Sequence, residues 1–133
     1  MRKFIELDDL MDLAAIDGDY NKPRVEAWQN AAEAEIRSFT SFDINATRLC
    51  DADLTEFIAV ARVYIQERVR ENFLSPNYQN DRGIMALKIR LSLLADELLE
   101  RELLLPLPIT QVFRASNDKR FQTSVGQGFL VRR

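Results

Sequence analysis

The residue types that could do chemistry in this chain are few and poorly placed for it. Asp17, Asp19 and Asn21 fall at positions 1, 3 and 5 of a calcium-loop pattern. Lys22 stands where the turn glycine belongs, and Trp28 where the bidentate glutamate belongs, so the stretch reads as a turn leading into a helix cap. Asp96, Glu97, Glu100 and Glu102 cluster late in a long helical run, with Asp96 and Glu100 on one face. A carboxylate pair can hold a metal, but the Glu-x-x-His partners of a di-iron bundle are absent, and a solvated helix end is the simpler reading. The lone Cys50 has no histidine to activate it and reads as a small, partly buried apolar residue. Gly126-Gln-Gly128 lacks the third glycine of a dinucleotide fingerprint, and no glycine-rich loop ends in Lys-Ser or Lys-Thr. With no histidine in the chain, the common triad, acid–base and zinc constellations are removed or weakened. The expectation is a non-enzyme with no catalytic, cofactor or metal site.

Among the elements that must position these groups, the dominant stretch is Asp81 to Leu105. Ile84, Leu87, Leu91, Leu94 and Leu98 alternate spacings of three and four, one helix face, and Met85, Leu93, Leu99 and Leu103 widen it. The pattern predicts the spine of a helical core, covered by several partners. Asn80 or Asp81 caps its start, and Pro106 and Pro108 end it. Before it come a short amphipathic helix on Leu7, Leu10, Met11 and Ala14, and a second helix opened by Pro23. Val25, Trp28, Ala32, Ile36 and Phe39 form the second helix's stripe, with Trp28 as a core anchor. A polar connection from Ser38 to Asp51 is pinned by Phe42, Ile44 and Leu49. A third helix runs from Asp51 or Asp53 to about Phe73 on Leu54, Phe57, Ile58, Ala61, Ile65 and Val69, broadened by Val60, Val63 and Tyr64. In its charged second half, Arg62, Glu67, Arg68, Arg70 and Glu71 read most simply as a solvated face; the alternative is a contact between subunits.

The chain has 133 residues, enough for one domain with a core of its own. Its basic start is followed by no apolar signal core, and no run approaches the roughly 18–20 apolar residues that cross a bilayer, so a cytosolic, membrane-free protein is expected. The net charge of −3 is unevenly spread. Beyond Pro106, Arg114, Lys119, Arg120, Arg132 and Arg133 face Asp118 alone, a net of +4 that leaves −7 for the rest. In the same segment Ile109, Gln111 and Phe113, and later Phe121, Thr123 and Val125, follow a period of two around a Ser116-Asn-Asp-Lys turn. The fold expected is all-α, a four-helix bundle-like core over 1–105 with an extended, β-hairpin or strand-like C-terminal arm over 106–133. Such an arm either folds onto its own helices or is completed by a neighbouring chain, the second being preferred.

The order of pieces has a further meaning. A short opening helix closes in Leu13-Ala-Ala-Ile-Asp-Gly-Asp19, and an Ala-rich helix, Val25-Glu-Ala-Trp-Gln-Asn-Ala-Ala-Glu-Ala-Glu-Ile36, closes at Phe39-Thr-Ser-Phe42. A third helix ends in Val63-Tyr-Ile-Gln-Glu-Arg-Val-Arg-Glu-Asn72, and a leucine-bearing helix follows a short polar link. This order resembles the head–tail connector (head-completion adaptor) proteins of long-tailed double-stranded DNA phages. Family members usually carry glycine where the Ala-rich helix closes; here Ser41 and Phe42 stand instead. The resemblance implies a virion protein, made in the host cytoplasm, whose helical subunits form a dodecameric ring under the portal protein. It would bridge the portal to a tail-side connector or stopper protein, and genome DNA would pass through its channel without sequence-specific binding. By position, the arm residues expected to grip a neighbour are Phe113, Arg114, Lys119, Arg120, Phe121, Phe129 and Arg133. Arg62, Glu67, Arg68, Arg70 and Glu71 are the candidates between subunits. The alternative is a helical packaging or regulatory protein that binds nucleic acid through its basic tail. A third reading is a helical regulator or inhibitor of one partner.

Overall fold

The computed structural model describes residues 3–106. Four α-helices appear in them: α1 (Leu7–Ala14), α2 (Lys22–Thr40), α3 (Asp51–Leu74) and α4 (Asp81–Leu103), with a single 3-10 turn at Asp19–Asn21 before α2. Among the described residues no strand occurs, so the helical body is all-α. The expected arm, with Phe113, Arg114, Lys119, Arg120, Phe121, Phe129 and Arg133, lies outside the described residues.

The centre of the body is α3, which packs against α1, α2 and α4. Leu54, Phe57, Ala61, Tyr64, Ile65 and Val69 are its buried face. Spacings of three and four put these six on one side, and each large apolar side chain among them is worth roughly 1.5–3 kcal/mol when fully buried. Phe57 gathers the aromatic part of the core, with the Phe42 ring centroid 5.1 Å away and Phe4 at 6.1 Å. The connection between α2 and α3 is fixed as its pattern predicted, with Phe42, Ile44 and Leu49 all buried. Its far side is tied to the end of α4, where Thr47 Oγ1 and an Arg48 guanidinium nitrogen both donate to Glu102.

The structure corrects the expectation that α4 is the spine. Ile84, Leu91, Ala95 and Leu98 are its buried face, while Met85, Ile89, Leu93, Leu99 and Leu103 are exposed. An edge helix buries only the arc turned toward α2 and α3, and its periodicity cannot distinguish that arc from a second apolar arc on the far side. The helix also ends at Leu103, two residues before the expected limit. Trp28 is half-buried, its ring edge-on to Phe73 at 6.4 Å with the Arg24 guanidinium 5.1 Å above it, and so flanks the core. Cys50 is exposed; its thiol donates to Asp53 Oδ2 at 3.2 Å as α3 begins.

The turn between α1 and α2 shows why the calcium-like pattern is structural. Asn21 is buried, and its Nδ2 donates to the Asp17 carbonyl at 2.7 Å. Asp19 faces the Lys22 ammonium at 3.5 Å. The expected side-chain cap on α2 is absent, because the Asn21 amide is used to hold the loop. Pro23 sits in the first turn of α2, where its missing N–H leaves nothing unpaired.

Candidate functional site

Three places on the described surface merit a functional reading. The first is the charged half of α3. Arg68 grips Glu35 of α2 with two parallel bonds, Nε to Oε1 at 3.1 Å and Nη2 to Oε2 at 2.9 Å, and reaches Glu71 with Nη1 at 3.1 Å. Tyr64 Oη donates to the same Glu35 Oε1 at 2.7 Å. Glu71 in turn accepts the Asn80 backbone N–H at 2.8 Å. One turn away, Glu67 Oε1 accepts Tyr78 Oη at 2.6 Å and Asn80 Nδ2 at 2.9 Å, with Arg70 stacked 5.0 Å over the Tyr78 ring.

These contacts set the ionisation of the cluster. Burial pushes Glu35 toward its neutral form, but hydrogen bonds from Arg68 and Tyr64 and the charges of Arg68 and Lys88 outweigh it and hold the carboxyl below its ordinary value. Glu67 follows the same logic, burial being overcome by Tyr78, Asn80 and Arg70. Burial and the facing Glu35 carboxylate raise the Tyr64 phenol. The sequence reading of Glu67, Arg68, Arg70 and Glu71 as a solvated face is therefore corrected: they bond to groups of their own chain. Arg62 is exposed, yet its Nε donates to the Phe4 carbonyl at 2.5 Å and fastens the N-terminal segment to α3. Glu35 and Tyr78 were missed, as was the reach of the capping Asn80 back to Glu67 and Glu71, because these partners lie on other elements.

A second place is a cleft of about 240 Å³ where the N-terminal segment crosses α2. Phe4, Glu6, Gln29, Glu33, Arg37 and Asn45 are among its walls. Gln29 is buried and donates Nε2 to the Ile5 carbonyl at 2.8 Å. Its place at core register, four residues after Val25, was the sequence signal for a polar contact inside the body. Burial raises the Glu33 carboxyl, against the opposing pull of Arg37, Gln29 and Lys3. Glu6, Glu26 and Asp43 line the same cleft as Glu33.

The third place is the outer face of α4. Met85, Ile89 and Leu93 stand 56%, 56% and 61% exposed, and Leu103 84%. Beside them a shallow groove of about 260 Å³ runs between α4 and Phe39 of α2, lined by Lys88, Ile89, Ser92 and Leu93. Singly exposed leucines are ordinary; here several exposed apolar side chains share one face of the helix. Among the described residues no group of acidic and cysteine side chains could hold a metal ion, and no helix is long and apolar enough to cross a membrane. No family model, curated protein or solved structure matches this chain.

Proposed function

We propose that this chain is an assembly protein, a head–tail connector of the kind its sequence resembles, whose helical body forms a ring under a portal and bridges it to the tail. The observation that carries the reading is where the core is made. Every buried side chain of the described residues lies between Phe4 and Leu98. The body thus holds an interior of its own before the sequence turns basic and aromatic beyond Pro106. On this reading that last segment, with Phe113, Arg114, Lys119, Arg120, Phe121, Phe129 and Arg133, is the arm that grips the adjoining ring by strand addition and charge. The body, at −7 outside the arm, suits a channel wall that does not hold DNA.

The test is electron microscopy of particles assembled without this protein. DNA-filled heads that leak and lack tails are expected; normal tailed, infectious particles would overturn the proposal. A chain ending at Pro106 should keep its helical circular dichroism and lose portal binding. For the nucleic-acid alternative the discriminating measurement is a salt-titrated shift assay, because phosphate binding by five cations must weaken steeply as salt rises. No shift at low ionic strength is the result expected here.

A further inference from the structure

The outer face of α4 is patterned to meet a copy of itself. On a helix of 3.6 residues per turn, Met85, Ile89, Leu93, Leu99 and Leu103 fall within an arc of roughly 120°. Arg82, Asp96 and Glu100 project from the same arc, all three exposed, and the exposed Asp81 lies at its edge in line with Leu99. Charges along the border toward α3 are already satisfied: Arg90 pairs with Glu56, and Arg101 with Asp53. On the outer arc, Arg82, Asp96 and Glu100 form no ion pair with any described residue. The stripe therefore carries Arg82 at its N-terminal end, with Asp81 at the edge, Asp96 and Glu100 toward its C-terminal end and apolar groups between, its charges unpaired among the described residues.

We infer that this face binds the same face of a second copy, antiparallel and about a twofold axis. Ile89 and Leu93 share a midpoint at Leu91, and so do Arg82 and Glu100. An axis crossing the outer surface at that level sets Ile89 of one copy against Leu93 of the other, while Arg82 meets Glu100 at both ends. Such a contact is self-complementary, the property an isologous interface requires. A parallel arrangement instead brings Arg82 onto Arg82 and Glu100 onto Glu100, which electrostatics disfavours. The footprint is small. From Arg82 to Glu100 the face is roughly 27 Å long and about 10 Å wide, well under the ~800 Å² per partner of a standard interface. The dimer is accordingly a weak, reversible one. It does not rest on the connector reading: a ring needs a head-to-tail contact, which a twofold pair is not, so the dimer is a state of the free chain.

The test is sedimentation of the full chain from micromolar to millimolar concentration at low salt, where exposed charges act over the longest range. The wild type should pass reversibly from monomer to dimer. Arg82→Glu and Glu100→Arg should each raise the dimer dissociation constant by roughly tenfold, since each change touches two symmetry-related pairs. The double variant R82E/E100R should return it to near the wild-type value, and Ile89→Asp should abolish association. All three positions are exposed, so unchanged circular dichroism will confirm that the four variants fold. A chain that stays monomeric throughout leaves the stripe to a foreign protein and overturns the inference. Assemblies larger than a dimer, or a double variant that is not rescued, overturn it as well.

Discussion

Gly83 donates its backbone N–H to Asn80 Oδ1 at 3.1 Å, and the same Asn80 uses its other amide atom to reach Glu67 on α3. Asn80 therefore caps α4 and fastens that cap to the preceding helix in one side chain. Gly83 makes this geometry fit, because a Cβ built there would overlap the Asn80 amide group. Helix propensity alone favours Gly83→Ala by roughly 1 kcal/mol. The cap reverses the sign: we expect the variant to be destabilised by about 1 kcal/mol, since Asn80 must move and surrender its bonds to Gly83 and Glu67. Urea unfolding checks this, and a midpoint above wild type contradicts it.

The Glu35 and Glu67 clusters make stability depend on acid. Both carboxyls have folded pKa values below their ordinary value of 4.5. Their contribution is in full force above the unfolded value and is lost as pH falls through the folded one. Glu33 has the opposite sign, its folded value being raised, so its ionised form opposes folding at neutral pH. Glu35→Gln should thus lower the urea midpoint at pH 7, the loss shrinking below about pH 4.5. Glu33→Gln should raise it at neutral pH, and that gain should vanish over a similar acid range.

Two leucines on α4 separate the buried face from the outer one. Leu91 is 0% exposed and Leu93 61%. Leu91→Ala should cost about 2–5 kcal/mol, the lost burial plus the cavity left behind. Leu93→Ala should stay within roughly 0.5 kcal/mol, as exposed substitutions do. Equal losses would mean that the outer stripe is covered in the folded monomer.

Ser41 ends α2 with φ +56° and ψ 29°, left-handed backbone that a Cβ disfavours. Ser41→Gly should stabilise the body by about 0.5–1 kcal/mol, seen as a higher thermal midpoint with the helical signal unchanged. A fall would show that the serine makes up elsewhere for its backbone cost.

Much of the body was legible beforehand because its signals are local. Asn80 as a cap, Pro23 in a first turn, and Phe42, Ile44 and Leu49 in an otherwise polar connection each announce themselves through chemistry that acts over a few residues. The charged half of α3 was not legible. Glu35 and Arg68 are 33 residues apart, and nothing in either neighbourhood says that the two helices bring them to 2.9 Å.

What the sequence determined alone is the helical character and nearly all the helix limits, because spacing, caps and proline restrict backbone dihedrals locally. It also settled that the chain has no histidine chemistry and concentrates positive charge beyond Pro106. Tertiary structure decided which of two apolar arcs on α4 is core, made α3 the central helix, and turned apparently solvated charges into bonds between elements. These outcomes depend on which surfaces meet in space, and burial is a property of the pair in contact, not of either strand of sequence read singly.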